Sequence, residues 1–460
     1  MSNIKFSLGI YNKRFNCHGP DNKNQKCPAN PSLPKNSILM PHYGNISTKT
    51  RHAASIRIQS AGGGRMRLGG IKGGGIPRST ASTAYTYVWV DRGQGPRTWG
   101  DVSGSGAITS NALGDKLAAV VYDGNVWLST NYGVDWTENT TSPGVTKKWS
   151  SIASNGDGTK LYATVGKTPR DAGIGADIWR SSDSGGTWVR EIELGGQNEA
   201  WLSVATNEDG SAVVACSTQT NSGVPPGGRI WRSLNSGVNW SESTPTFNKP
   251  WRAVTSSYDG SPTANAKFAV TAYGENIWTS IDSGSNWVEQ TGFAGSPDPS
   301  LNWWGIASNS TGSNLAAVVD GGNIWTSTDS GTNWVEQTGF VGSPTPNQDW
   351  RDITSNSTGS TLTAVVEGGN IWKSTDSGVT WVQDTSVGTT KNWSSVTSNN
   401  SGDRLAAAVY GGNLWTWPLV TTTTTPFSCA PTLNPAVAAF NCAPAPPYPM
   451  ACIKPPRNTF

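Results

Sequence analysis

At 460 residues the chain is long enough for two or three ordinary domains or for one large β architecture. Its 54 Gly, 28 Pro and 23 Trp, with only 14% charged residues and polar positions dominated by Ser, Thr and Asn, exclude a mainly helical protein, because these are residues of turns and strands. The formal net charge of +3 hides a partition: residues 1–84 hold thirteen Lys/Arg against one acid, Asp21, for +12, residues 85–420 hold nineteen against thirty for −11, and residues 421–460 add Lys454 and Arg457 for +2.

The first segment, 1–84, is polar, basic and Gly-rich, above all in SAGGGRMRLGGIKGGGIPRS (60–79). It shows no sustained periodicity and reads as an extended arm without a core of its own. Its start lacks the apolar run and small-residue cleavage site of a secretory signal, and no stretch of the chain reaches about eighteen consecutive apolar residues, so the expectation is a soluble, unsecreted chain with no membrane span. The glycines of 60–79 stand in no strand–helix context that would make a phosphate loop of them.

Residues 85–420 read as a recurring unit, fullest in WWGIASNSTGSNLAAVVDGGNIWTSTDSGTNWVEQTGF (303–340) and WRDITSNSTGSTLTAVVEGGNIWKSTDSGVTWVQDTS (350–386). Each copy has four short β runs parted by S-N-x-x-G, G-G-N and S-x-D-x-G turns. First strands begin near Ser105, Trp149, Trp201, Trp251, Trp303, Trp350 and Trp393, and third strands centre on Trp127, Trp179, Trp231, Trp278, Trp325, Trp372 and Trp415, seven of each. Fourth strands follow at Trp136, Trp188, Trp240, Trp287, Trp334 and Trp381, one fewer. YTYVWVDRGQGPRTW (85–99), whose Trp89 and Trp99 are spaced almost like a repeat hairpin, is expected to complete the last unit and remove an exposed sheet edge. The predicted fold is all-β: a seven-bladed β-propeller of four-stranded blades over 85–420, closed by an N-terminal strand and flanked by the arm and a tail. Packing accounts for the tryptophans, seven at or beside first strands and sixteen in third-to-fourth-strand hairpins; Trp304, beside Trp303, is the exception.

The turns STNYGVDW (129–136), SSDSGGTW (181–188), SLNSGVNW (233–240), SIDSGSNW (280–287), STDSGTNW (327–334) and STDSGVTW (374–381) resemble the Asp-box, or BNR repeat, of sialidase-like and sortilin-like propellers. Asp183, Asp282, Asp329 and Asp376, with Asn131 and Asn235 in their place in two copies, are suited to accept backbone N–H bonds within the turn, and Gly at the bend permits positive φ. The resemblance implies a structural box on the propeller periphery, away from any active site.

The tail, 421–460, opens with TTTTTP and runs through nine prolines to PPRNTF, and reads as extended. Cys429, Cys442 and Cys452 lie here, Cys17 and Cys27 in the arm, and Cys216 alone in the body. Their spacings lack the paired C-x2-C knuckles of a zinc site, and the three histidines, His18, His42 and His52, all fall in the arm; no metal or cofactor is expected, and the five terminal cysteines are candidates for disulfides in an oxidising particle.

Candidate contacts lie where the repeat varies. The position after the first-strand Trp reads Ser150, Leu202, Arg252, Trp304, Arg351 and Ser394, which makes Arg252, Trp304 and Arg351 candidate ligand or partner residues. The long tips 166–177 and 218–229 add Lys167 and Arg170. Asp123, Glu275, Asp320 and Glu367 stand at repeat-equivalent turn positions and read as solvated carboxylates. The sialidase resemblance implies three arginines, a Tyr–Glu pair and an Asp acid; only two arginines are offered, and the body has no His, so no catalytic residues are assigned. Seven N-x-S/T sequons, at Asn45, Asn139, Asn239, Asn309, Asn356, Asn392 and Asn399, are what a chain rich in Asn, Ser and Thr produces by chance.

Near-identical blades, a basic arm and a Cys/Pro-rich tail are similar to the Asp-box repeat proteins of large DNA viruses of algae and protists. That resemblance implies a non-enzymatic structural protein anchored to capsid or other shell proteins through 1–84 and 421–460, at the virion surface. The alternatives are a glycan-binding or glycan-hydrolysing propeller with a host glycan as partner, and an assembly factor like the photosystem II factors that share the repeat; the alternative location to the virion is the cytoplasm. The arm lacks the interleaved aromatics that stack on bases and the acidic body would repel a polyanion, which disfavours nucleic acid against an acidic protein surface.

Overall fold

The computed structural model describes residues 84–100, 106–140, 146–166, 177–191, 199–219, 227–244, 248–258, 265–294, 300–341, 347–423, 427–431 and 440–444. All lie in the unit Ala81–Phe460; residues 1–83 of the basic arm, with Cys17 and Cys27, and Lys167, Arg170 and Cys452 fall outside the described residues. No helix occurs among them; every regular element is a strand.

The repeat folds as an antiparallel quartet. In the copy beginning at Leu301, strand Leu301–Ser308 pairs with Leu315–Gly322, that strand with Ile324–Ser327, and that in turn with Asn333–Gln337. The second strand begins with five buried apolar residues, Leu315 to Val319, because both its faces are covered by neighbouring quartets. The third strand, Ile324–Ser327, is buried throughout, and the fourth buries Trp334 and Gln337 while Asn333, Val335 and Glu336 are exposed. Alanines such as Ala163, Ala215, Ala317, Ala364 and Ala407, all fully buried in second strands, let adjacent sheets approach closely.

The tryptophans show how the quartets are filled. An inner-strand indole meets a third-strand indole edge-on, as in Trp149–Trp179 (6.4 Å, 73°), Trp251–Trp278 (6.0 Å, 87°), Trp303–Trp325 (6.2 Å, 74°) and Trp350–Trp372 (6.3 Å, 67°). The fourth-strand indole tilts against the inner one, as in Trp149–Trp188 (6.3 Å, 47°) and Trp350–Trp381 (6.5 Å, 50°). Trp231 and Trp240 pack against the cluster that contains Trp201. Both ends of the described body obey this geometry. Trp393 meets Trp415 edge-on (6.1 Å, 77°) and takes Trp89 as its tilted partner (6.2 Å, 49°), because strand Ala84–Asp91 pairs with Leu414–Thr423 from Ala84↔Thr423 to Asp91↔Trp415. Trp99 corrects the sequence expectation. It is not the second member of a terminal hairpin but the inner indole of the first quartet, edge-on to Trp127 (6.1 Å, 79°) with Trp136 packed beside them. The long gap between Trp89 and Trp99 is therefore the passage from the outer strand of one quartet to the interior of the next.

Neighbouring quartets are tied by backbone. In the turns after the inner strands, Ala112 N–H donates to Gly156 O (2.9 Å), Gly156 to Glu208 (2.7 Å), Tyr258 to Ser310 (2.6 Å), Ser310 to Ser357 (2.9 Å), Ser357 to Asn400 (2.8 Å) and Asn400 back to Ala112 (3.0 Å). Among the described residues these bonds run in two stretches, from Ala112 to Glu208 and from Tyr258 through Asn400 to Ala112. At the outer edge, Gly292–Ala294 and Phe340–Val341 leave one quartet and lie parallel to the fourth strand of the next, where Phe293 and Phe340 stack on Trp334 (11°) and Trp381 (15°).

The six peripheral turns share one hydrogen-bond pattern. Asp183 Oδ1 accepts the Thr187 N–H at 2.8 Å, and Asn131, Asn235, Asp282, Asp329 and Asp376 each accept the N–H four residues on. The backbone N–H of Thr187 is the main cause that holds the Asp183 carboxyl below its ordinary value, as the Thr380 hydroxyl is for Asp376. A buried serine completes the turn: Ser181 Oγ accepts the Gly185 N–H (2.9 Å) and donates to Asp183 (2.7 Å). Two successive residues, Ser184 (φ 58°) and Gly185 (φ 88°), take the left-handed conformation.

The tail also departs from the expectation of a plain extended segment: Phe427–Pro431 pairs antiparallel with Phe440–Pro444.

Candidate functional site

Most inner strands carry a register shift just after their Trp. Trp303 opposes Val319 and Gly305 opposes Val318, so Trp304 is a bulged residue with no cross-strand partner; Ser150, Leu202, Arg351 and Ser394 occupy the same place. In the strand Trp251–Ser256 the shift spans Arg252 and Ala253. A bulge re-aims the side chain and frees it from pairing constraints. That is why this position varies while the strands around it repeat.

Three of these bulged residues meet. The Arg252 guanidinium carbon lies 3.4 Å from the Trp304 ring centroid and that of Arg351 lies 4.1 Å from it, one cation from each flanking quartet. Tyr273 meets Trp304 edge-on (6.2 Å, 76°), and Arg252 lies 5.8 Å from the Tyr273 ring. Each contact is of the cation–π or aromatic kind, contributing about 0.5–2 kcal/mol depending on desolvation. Arg351 is further held by Asp320 (3.0 Å) and Glu367, and Glu275 pairs with Lys249. These tip carboxylates are therefore engaged in ion pairs rather than simply solvated, a difference the sequence could not show because the partners lie up to 31 residues away. Asp123 is exposed at a turn with φ 55°.

Towards the opposite ends of the inner strands lies a central cavity of about 210 Å³. Its walls are Ser, Thr, Asn, Ala, Val and Ile from strand ends such as Ser154, Thr206, Ser308 and Thr397, and Tyr258, whose hydroxyl donates to Ser154 O (2.7 Å). It offers hydroxyls and amides, and among the described residues its walls hold no carboxylate or amine.

One buried acid breaks the repeat. Asp352 stands where other inner strands have Ser151, Ser203, Gly305 or Ser395; its Oδ2 accepts the Val396 N–H (3.0 Å) and the Ser395 hydroxyl (2.7 Å), and its Oδ1 accepts the Ile353 N–H (2.9 Å). Burial pushes its carboxyl up to about 6 in spite of these donors. Gly305 makes the room, since a Cβ there would lie 3.2 Å from the Asp352 Cα. Nothing in the sequence around Asp352 marks it as a site. Cys216 is buried and its thiol is pushed up to about 12 by desolvation, which makes it an inert packing residue.

Among the described residues no cluster of His, Cys, Asp and Glu could hold a metal, and no helix is long and apolar enough to cross a membrane. No family model matches the chain, and no curated protein matches it. Solved structures do. YCF48 from Cyanidioschyzon merolae aligns at TM-score 0.51 and 16% identity over 72% of this chain and 98% of that one. The GH74 xyloglucanase from Xanthomonas campestris aligns at TM-score 0.51 and 16% identity over 72% of this chain but only 53% of the other. Likeness at this identity shows the fold alone: an all-β chain of the propeller kind.

Proposed function

We propose that the quartets form one seven-bladed ring of four-stranded blades, and that the chain is a non-enzymatic interaction protein. In this reading residues 1–84 and 421–460 anchor the ring to capsid or other shell proteins, and the ring stands at the surface of a large DNA virus particle. The matching tryptophan contacts at the two ends of the body, Trp99 with Trp127 and Trp393 with Trp89, and the bond from Asn400 to Ala112 support the ring.

The observation that carries the interaction role is the stack of Arg252, Trp304 and Arg351. It concentrates two guanidiniums and an indole on one face of an acidic body, a composition common at protein contact surfaces. Arg351 is already paired with Asp320 and Glu367, so a partner would meet the stack through its planar aromatic and guanidinium faces rather than through charge alone. Proteolysis of intact particles tests the anchoring: the ring should be cut first and residues 1–80 protected, and an arm that is cut first overturns it. The purified chain should turn over no sialoside or β-glucan in a fluorogenic panel; hydrolysis abolished by Arg252→Ala or Arg351→Ala would make it an enzyme.

The hydroxyl-lined cavity favours a second reading, a glycan-binding ring. Trp304 is a poor platform for a sugar, because two guanidiniums already lie over its ring. Retention of the chain on a glycan array would support this alternative.

A further inference from the structure

The strands Phe427–Pro431 and Phe440–Pro444 carry almost the same five residues, F-S-C-A-P and F-N-C-A-P. Paired antiparallel, they set Phe427 opposite Pro444, Cys429 opposite Cys442 and Pro431 opposite Phe440. Opposed residues in such a pair alternate between two classes. In one they exchange both N–H···O bonds with Cα atoms about 5.5 Å apart; in the other they exchange none and approach to about 4.5 Å.

Proline has no N–H and cannot complete an exchanging pair. Pro444 and Pro431 each stand two register positions from the cysteine pair, on either side of it, and so share its class. All three pairs therefore belong to the close, non-exchanging class. A Cα separation of about 4.5 Å lies inside the disulfide range of about 4.4–6.8 Å, and directly opposed residues share one face of the pair.

We propose that Cys429 and Cys442 form a disulfide across this hairpin. Two S–H bonds break and one S–S bond forms; the two electrons and two protons pass by thiol–disulfide exchange to a disulfide oxidant such as oxidised glutathione, which leaves as two thiols. A lone two-stranded hairpin is marginal in water, and the cross-link would fix this one by removing freedom from the open chain. The prolines thus select the register class that suits the bond, as well as blocking further strand addition.

The test uses the full-length chain, equilibrated in a glutathione redox buffer, alkylated, digested with chymotrypsin and read by mass spectrometry. The peptide that follows Phe427 should be found linked to the one that follows Phe440, in the wild type and equally in Cys452→Ser, which removes the nearest competing thiol. Shifting the second thiol by one position, with Cys442→Ala and Ala443→Cys together, should lower the linked fraction about tenfold, because the thiol moves to the other face of its strand. Linkage of Cys429 to a different cysteine, alkylation of both cysteines as complete as in the reduced chain, or equal linkage in the shifted variant would each overturn the proposal.

Discussion

Trp99 Nε1 donates to the carbonyl of Gly412 at 2.9 Å, across 313 positions of sequence. The same bond joins neighbouring quartets elsewhere, from Trp149 to Gly124 (3.2 Å), Trp251 to Gly228 (3.1 Å) and Trp350 to Gly322 (3.0 Å). The junction between the two ends of the body is thus built like an internal one.

Closure should therefore depend on the strand Ala84–Asp91 and on Trp99, and not on the arm. Deleting residues 1–80 should leave thermal stability unchanged, whereas deleting 1–99 should lower it and cause association through the exposed edge, read by calorimetry and light scattering. Trp99→Ala, which empties a fully buried indole site, should cost about 3–5 kcal/mol in denaturant unfolding. Equal behaviour of the two deletions would refute this account of closure.

Asp352 gives a pH dependence of defined sign. Its folded carboxyl titrates near 6 against 3.8 for an ordinary Asp, so the folded chain holds the proton more tightly. Its stabilising contribution is complete below pH 3.8 and is lost as pH rises through 6, about 3 kcal/mol in all. Asp352→Ser copies the residue at Ser151, Ser203 and Ser395 and removes the titration. The difference in Tm, variant minus wild type, should climb between pH 4 and pH 7. A flat difference would show that Asp352 stays ionised.

In the peripheral turns the acceptor matters more than the charge. Asp329→Ala hands the exposed Asn333 N–H, now held at 2.9 Å, to water and should cost about 0.5–1.5 kcal/mol. Asp329→Asn should cost less than half of that, since Asn131 and Asn235 already do the same work. Equal losses in the two variants would point to the carboxylate charge instead.

The sequons divide by burial. Asn309, Asn356 and Asn399 are buried, and their amides donate to Ser313, Ser360 and Asp403. Expressed through a eukaryotic secretory route, the chain should carry no glycan at these three. Asn239 and Asn392 are exposed and should be the occupied sites among those described, as glycopeptide mapping would reveal.

The all-β class was legible because alternation, turn residues and the recurring Trp are local signals. The role of Asp183 and its equivalents was legible for the same reason: donor and acceptor lie four residues apart. Arg252, Trp304 and Arg351 stood out only as departures from a repeat. That two guanidiniums converge on one indole depends on three separate strands and could not be read in advance. Trp99 was misplaced because its distance from Trp89 imitates a hairpin, while its true partner, Trp127, follows 28 residues later. Asp352 left no trace, since an acid among serines becomes informative only once it is seen to be buried.

The register Ala84↔Thr423 means that the chain enters and leaves its closing sheet at one point. Tension between the two ends would load those hydrogen bonds one pair at a time, as in unzipping, instead of shearing them all together. The seam is a mechanical fuse: weak to a pull that separates arm from tail, and spared when both are held by the same neighbour.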